Sequence, residues 1–345
     1  GCCGAACKAA SHWPGPPFKL ACYRSLSAFP DWLNGLRAYY QTPPPDHLRA
    51  ADWLLDNDYQ IARAIRLVEK DLPDGFYRQL PGLTGPKGEN TPRVYAVAKA
   101  LTLTFRPQIS LDNLIAFVTA YQASAPLTNA ELWALPSMLR LASLEDLVNA
   151  FSQLGADISP PFTPFGASGD ATIADLTDRI ALAISNLIAV QSIKWVDFVD
   201  QVSLIEATLS DDPADIYAGM TFETRNRYRS TVETLSRRSR MSEVDIAQNA
   251  VALSHKHGAD PVQAHVGYWL IDDGLLELEA VIGYRLPLTE LVQRPLMRRA
   301  GGLYATGLIL CFLASLVLPL AYLGMYDPGF WSWVAGVSMT ILPAS

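Results

Sequence analysis

From His47 onward, apolar side chains recur at three- and four-residue steps, the spacing that gathers them on one face of a helix. Leu48, Ala51, Leu55, Ala62, Ile65, Val68 and Leu72 form the first such stripe, and Leu72-Pro73-Asp74-Gly75 ends it. A Gly- and Pro-rich loop leads to Thr91-Pro92, where a cap and a proline at the first helical position predict a second helix. Pro107 closes that helix, and Ser110 opens a third with Leu111, Leu114, Ile115 and Val118 on one side. Thr128 and Glu131 have the spacing of a capping box, in which the hydroxyl meets an orphan amide and the carboxylate reaches back. The helix they start carries Leu132, Leu135, Leu139 and Leu141, with Pro136 expected to kink it or to mark its effective start.

The stretch SPPFTPFGASGD, from Ser159 to Asp170, is the best internal boundary by composition. Beyond it Ile173, Leu176, Ile180, Ile184, Leu187 and Ile188 predict one amphipathic helix, and Trp195, Phe198, Val199 and Val202 the next. Ser242 and Asp245 form a second capping box, for a helix ending near Gly258. No alternating strands and no solenoid-type repeat occur. The expected fold class is therefore mainly α. A helical subdomain is predicted over 46–158, a linker over 159–171 and a second helical subdomain over 172–299. Residues 1–45 lack periodicity, contain Pro-Gly-Pro-Pro and Pro-Pro-Pro, and are expected to be poorly ordered.

The pattern changes at residue 300. From Ala300 to Tyr326 there is no charged residue, and a bilayer core needs roughly 20 residues of helix. After Asp327-Pro328-Gly329 a second apolar run, 330–345, is still apolar where the sequence stops, with Trp331 and Trp333 placed for an interfacial belt. A carboxylate ending in hydrocarbon is costly, so the hairpin's second span is expected to be truncated. The first residue is Gly rather than Met, so the beginning is expected to be incomplete as well. Arg285, Arg294, Arg298 and Arg299 precede the first span while the hairpin loop carries no Lys or Arg. The positive-inside rule then predicts a helical domain in the cytoplasm, followed by the transmembrane hairpin.

Composition adds exclusions. Of 345 residues 50% are hydrophobic and 18% charged, which rules out intrinsic disorder. Thirty-four acidic against 27 basic side chains give a net charge of −7, with no basic footprint for nucleic acid. Five cysteines, three of them at Cys2, Cys3 and Cys7, are too local to staple a fold, and they lack the paired partners of a zinc site.

Candidate chemistry is sparse. His255, His257 and His265 invite a metal reading, but the first two point to different helix faces, which favours a surface role. Asp272-Asp273 before Gly274 fits a turn better than an acid/base pair. The basic run of Arg225, Arg227, Arg229, Arg237, Arg238 and Arg240 is interleaved with Glu223, Glu233 and Glu243. A solvated helix face is expected there, with lipid headgroups as the alternative partner. No phosphate loop, nucleophile elbow or zinc-protease motif is present.

Several blocks nevertheless carry a signature. ADWLLDN (51–57), DLPDGFYRQLP (71–81), PRVYAVAKAL (92–101), AYQ (120–122) and PLTNAELWALPSMLRL (126–141) resemble the N-terminal region of bacterial cyclic β-1,2-glucan synthases. DPADIYAGMTFETRNRYR (212–229), HVGYWLIDDG (265–274) and the terminal LPAS (342–345) resemble the same family, in the same order. Residues 1–45 fall outside the likeness. The resemblance implies a large enzyme of the bacterial inner membrane that polymerises glucose from UDP-glucose and closes the chain into a ring. It places the family-84-type glycosyltransferase module, with its nucleotide-sugar and divalent-metal motif, downstream of this chain. No catalytic, cofactor-binding or metal residue is carried over. The implied partners are the lipid bilayer, the downstream modules of the same polypeptide and the nascent glucan. Within the matching blocks Tyr77, Arg78, Arg93, Glu131 and Trp133 are candidates for interhelix, interdomain or glycan contacts, with the core the preferred place for both aromatics. The leading expectation is an anchoring and scaffolding fragment, inactive alone. The alternative is a free-standing membrane-anchored scaffold or sensor.

Overall fold

The computed structural model describes residues 19–84, 90–105, 109–164, 171–287, 300–325, 329–330 and 334. Cys2, Cys3, Cys7, Arg294, Arg298, Arg299, Trp331, Trp333, the 342–345 block and most of the expected second span lie outside them. The protein is mainly helical, as the periodicities predict. Its contacts group Gly1–Gly283 as one unit and Tyr284–Ser345 as another.

In the first unit the helices are α1 (Ala21–Arg24), α2 (Phe29–Tyr39), α3 (Leu48–Asp71), α4 (Asp74–Tyr77), α5 (Arg93–Thr104), α6 (Leu111–Gln122) and α7 (Asn129–Gln153). They continue with α8 (Ile173–Ser192), α9 (Trp195–Val202), α10 (Leu204–Leu209), α11 (Phe222–Ser236), α12 (Glu243–Lys256), α13 (Val266–Ile271) and α14 (Leu275–Ile282). Among the described residues one short hairpin interrupts them. Strands β1 (Gly82–Thr84) and β2 (Asn90–Pro92) pair antiparallel, with Leu83 opposite Thr91. Thr91-Pro92 is thus strand rather than helix cap, and α5 begins at Arg93 without a side-chain cap. The hairpin sets its entry, since the Arg93 N–H donates to the Pro81 carbonyl at 2.7 Å.

Helix α7 is the axis. It packs most extensively against α8, then against α5 and α3, and also touches α1, α9 and α11. Its apolar residues are not confined to a stripe: Leu132, Leu135, Leu139, Leu144 and Phe151 are all buried, on different sides. A helix apolar all round belongs inside. Both predicted capping boxes form, Thr128 with Glu131 on α7 and Ser242 with Asp245 on α12. A third, Thr172 with Asp175, opens α8. Helix α7 runs on through Pro136, so that residue does not mark its start.

Three expectations change. Residues 21–39 are helical, and Phe29, Trp32, Leu33 and Leu36 enter the core. Their i, i+3, i+4, i+7 spacing was masked by the prolines on either side. In α3 the buried stripe is Ala50, Ala51, Leu54, Ile61, Ile65 and Val68, whereas Leu48 and Leu55 face outward. The 159–171 stretch also differs from a boundary in its surroundings, because α7 and α8 on its two sides pack together. One hydrophobic cluster runs from Cys22 to Val202. Helices α10–α14 pack among themselves after it, with α12 touching α10, α11, α13 and α14.

In the second unit α15 (Ala300–Met325) is a 26-residue helix without a charged side chain. Its side chains are described continuously only over 301–315. Among the described residues no helix is long and apolar enough to cross a membrane.

Candidate functional site

The N-terminus of α7 gathers charged residues from four helices. Glu131 is fully buried; its Oε2 accepts the Thr128 N–H at 2.9 Å and the Thr128 hydroxyl at 3.1 Å. Arg93, at the start of α5, meets the same carboxylate with two prongs, Nε to Oε1 at 2.8 Å and Nη2 to Oε2 at 2.5 Å. Nη2 also donates to the Pro126 carbonyl at 2.8 Å. A forked guanidinium suits a carboxylate that must be satisfied away from water. Next to this pair, the Asn129 N–H donates to Glu243 Oε2 at 2.7 Å, and Asn129 Nδ2 to Glu233 Oε2 at 2.8 Å. Helices α11 and α12 are thereby tied to α7. Negative charge belongs there, because the first-turn amides and the helix dipole present positive potential. Burial pushes the Glu243 carboxyl up to about 7, with Glu233 and Glu131 adding to the rise.

The five sequence candidates fare differently. Arg93 and Glu131 form the junction just described. Trp133, half-buried, meets the Phe222 ring edge to face at 6.1 Å and so joins α7 to α11. Tyr77 is a core residue, completely buried and stacked on Tyr23 at 4.4 Å, with its hydroxyl accepting the Leu20 N–H. Burial raises its phenol to about 12. No sugar ring can reach it. Arg78 is exposed on the turn after α4, and its neighbour Gln79 accepts from Arg237 at 2.7 Å.

The basic run is only in part the solvated face that its composition predicts: Arg227, Arg237, Arg238 and Arg240 are exposed, whereas Arg225 and Arg229 turn inward. Arg229 is fully buried, with Nη1 at 2.8 Å from Asp200 and 3.2 Å from Glu206. Its guanidinium lies 5.0 Å from the Phe222 ring centre. Arg225 holds the same two carboxylates, at 2.8 Å for Asp200, and the Tyr217 hydroxyl donates to Glu206 at 2.8 Å. Arg237 pairs with Glu233. Arg225 and Arg229 therefore serve the interior rather than lipid. The i, i+4 spacing of these two arginines was the available signal, since one helix face carrying both can converge on a single acidic site.

A second constellation also went unread. Asp212 is buried and accepts the Ile216 and Tyr217 N–H groups on Oδ2 and the Val266 N–H on Oδ1. The same Oδ2 lies 2.8 Å from His265 Nδ1, and His265 Nε2 lies 3.2 Å from the Tyr228 hydroxyl. Of these, Ile216, Tyr228 and His265 line an open cleft of about 930 Å³ between α11 and α13, and Asp212 lies buried behind His265. Among the described residues the other histidines do not join them: His257 Nδ1 lies 3.1 Å from the Leu253 carbonyl. Among the described residues no group of His, Cys, Asp and Glu is placed to hold a metal. The Asp272 carbonyl accepts the Leu275 N–H in a turn, as its sequence suggests.

No family model matches the chain. Over 369 residues it is 26% identical to the cyclic β-(1,2)-glucan synthase NdvB of Rhizobium meliloti (strain 1021). That alignment takes in 86% of this chain and 13% of the relative, so the chain spans about one eighth of the length of the protein it matches. With Arg93, Asn129 and Glu131 of the junction lying in the quoted blocks, the chain is similar to one part of a cyclic β-1,2-glucan synthase.

Proposed function

We propose that this chain is the membrane-anchoring and scaffolding N-terminal part of a bacterial cyclic β-1,2-glucan synthase. The similarity to such a synthase over most of the chain carries this reading. In it, α15 crosses the inner membrane and the apolar run after Gly329 returns, with α1–α14 on the cytoplasmic side. The sequence run from Ala300 to Tyr326, free of charge and longer than the roughly 20 residues that a bilayer core needs, supports the anchor. The arginines before it support the orientation. UDP-glucose, the divalent metal and the bond-forming chemistry then belong to downstream modules, against which the α1–α14 unit is a rigid platform. Arg93, Glu131 and Trp133 keep that platform in one piece and do not touch sugar.

Membranes carrying the chain alone, given labelled UDP-glucose, are expected to yield no polymer. The complete synthase with Arg93→Ala is expected to lose glucan output by several-fold, in step with loss of the assembled enzyme. Polymer from the chain alone, or full output from the variant synthase, would sink the scaffold reading. Release of the chain from membranes by alkaline carbonate would sink the anchor.

A further inference from the structure

The cleft between α11 and α13 is more than a gap left by packing. Its base is constructed. Asp212, held by three backbone N–H groups, fixes His265, and His265 meets the Tyr228 hydroxyl at 3.2 Å. Gly267 makes that contact possible: a Cβ there would stand 2.2 Å from the Tyr228 oxygen and 2.6 Å from His265 Nε2. Any side chain would have to push the pair apart.

The walls combine two kinds of surface. Tyr268 on α13 is half-buried and braced edge to face by Trp269 at 5.1 Å, while Ile216 and Val262 stand exposed at the rim. Between them lie polar groups without protein partners. Asn226 Oδ1 is buried and receives no hydrogen bond. Among the described residues, the side chains of Glu223, Arg227 and Asp272 enter neither a hydrogen bond nor an ion pair. A buried carbonyl oxygen without a donor is costly, and turning the Asn226 amide into the cleft toward a ligand hydroxyl removes that cost. Two carboxylates against one guanidinium disfavour an anionic ligand such as a phosphate. They suit a neutral ligand that donates to Asn226, Glu223 and Asp272 and accepts from Arg227. A braced tyrosine with aliphatic neighbours suits a flat C–H face.

We infer that this cleft is a binding site for an uncharged oligosaccharide, with Tyr268 as the ring platform and Asn226 and Arg227 as the polar clamp. Saccharide binding here deepens the glucan-synthase reading and rests on it for the choice of linkage, not for the chemistry of the cleft. The site lies entirely within α11–α13 and the segments next to them, apart from the junction at α7.

The test is calorimetric titration of the full chain in detergent micelles with linear β-1,2-linked glucotetraose. Cellotetraose, UDP and inorganic phosphate serve as comparison probes. Saturable binding of the β-1,2 tetraose is expected, weakened at least tenfold by Tyr268→Ala and several-fold by Asn226→Ala. Arg227→Ala, at an exposed position, gives a variant whose folding is not at risk and is expected to weaken binding as well. Tyr59→Ala, an exposed tyrosine on α3, is expected to leave it unchanged. Binding of cellotetraose alone supports a saccharide cleft while removing the β-1,2-glucan link. Absence of saccharide binding, binding untouched by the cleft variants, or preference for UDP or phosphate overturns the inference. The membrane-extraction result stands apart from all of these outcomes.

Discussion

Helices α7 and α15 are almost equal in length, 25 and 26 residues, and neither confines its apolar residues to one face. They solve that condition in opposite ways. Helix α7 is enclosed by protein and can therefore carry polar groups inward: Asn129, Glu131, Ser137, Arg140 and Asn149 are all buried along it. The two at its amino end reach partners on α5, α11 and α12. Helix α15 carries no charge, and its two described aliphatic hydroxyls turn back on their own helix, Thr306 to Gly302 and Ser315 to Phe312. Leu308, Ile309, Leu310 and Leu313 on it are exposed. An apolar helix surrounded by protein can be specified by its polar exceptions. In the proposed reading α15 faces lipid, where such exceptions have to be avoided.

One substitution made in both helices should separate them most. Leu139→Arg, at a fully buried position of α7, places an unpaired charge in the core and is expected to cost more than about 4 kcal/mol. In denaturant melts the folded baseline should be lost or the midpoint should collapse. Leu310→Arg in α15 is expected to leave that midpoint unchanged and to weaken membrane partition by about 2.5–3.5 kcal/mol, read from carbonate extraction. Equal effects on folding would erase the distinction.

The second prediction sharpens what the polar exceptions contribute. Glu131→Ala removes the carboxylate half of the α7 capping box and leaves Arg93 facing a partly buried void, for an expected loss of about 3–5 kcal/mol. The double variant with Arg93→Ala should recover part of it. A double-mutant cycle with no coupling between the two would show that the fork adds nothing.

The third and smallest effect is a pH dependence. Burial raises the Glu243 carboxyl from 4.5 to about 7. Below pH about 4.5 the group is protonated whether the chain is folded or not. Between there and pH 7 only the unfolded chain gives up the proton. Its contribution is therefore full at low pH and lost as pH rises through 7. At about 1.36 kcal/mol per unit, over about 2.5 units, the loss is roughly 3 kcal/mol. Glu243→Gln keeps an acceptor for Asn129 and is expected to gain that amount at pH 8 while changing little at pH 4. Glu145, also raised to about 7 by burial and then by Asp146, should keep part of the slope in that variant. A pH profile of stability identical to the parent's would exclude Glu243 as its source.

Local signals were legible where a residue's partner lies within one turn, though Thr172 with Asp175 has the same spacing and went unread. Thr128 with Glu131 and Ser242 with Asp245 could be read three residues apart and are present as read. The rest of the same site was not, because Arg93 reaches Glu131 across 38 positions and Glu243 reaches Asn129 across 114. Composition misled at two points. The arginine-rich 225–240 run looked like surface because charge is usually solvated, yet Asp200 and Glu206, well upstream, draw Arg225 and Arg229 inward. The proline-flanked 1–45 segment looked unstructured although four apolar residues of α2 keep helical spacing. In the cleft, Gly267 could be located but its reason could not, since that reason is a tyrosine 39 positions earlier.

The Asn129–Glu243 hydrogen bond also has a meaning in time. During synthesis the amino end of α7 is made long before the carboxylate that completes it. With 114 residues between them, at about 5–20 residues per second, the interval is roughly 6–23 s. Over that interval α1–α9 can gather around α7 from contacts nearer in sequence, while one first-turn amide and the Asn129 side chain stay open to water. The arrival of α11 and α12 then closes them. A ribosome pausing between α9 and α12 would hold the nascent chain in that half-capped state, where a chaperone or a premature partner would find the amino end of α7 still open.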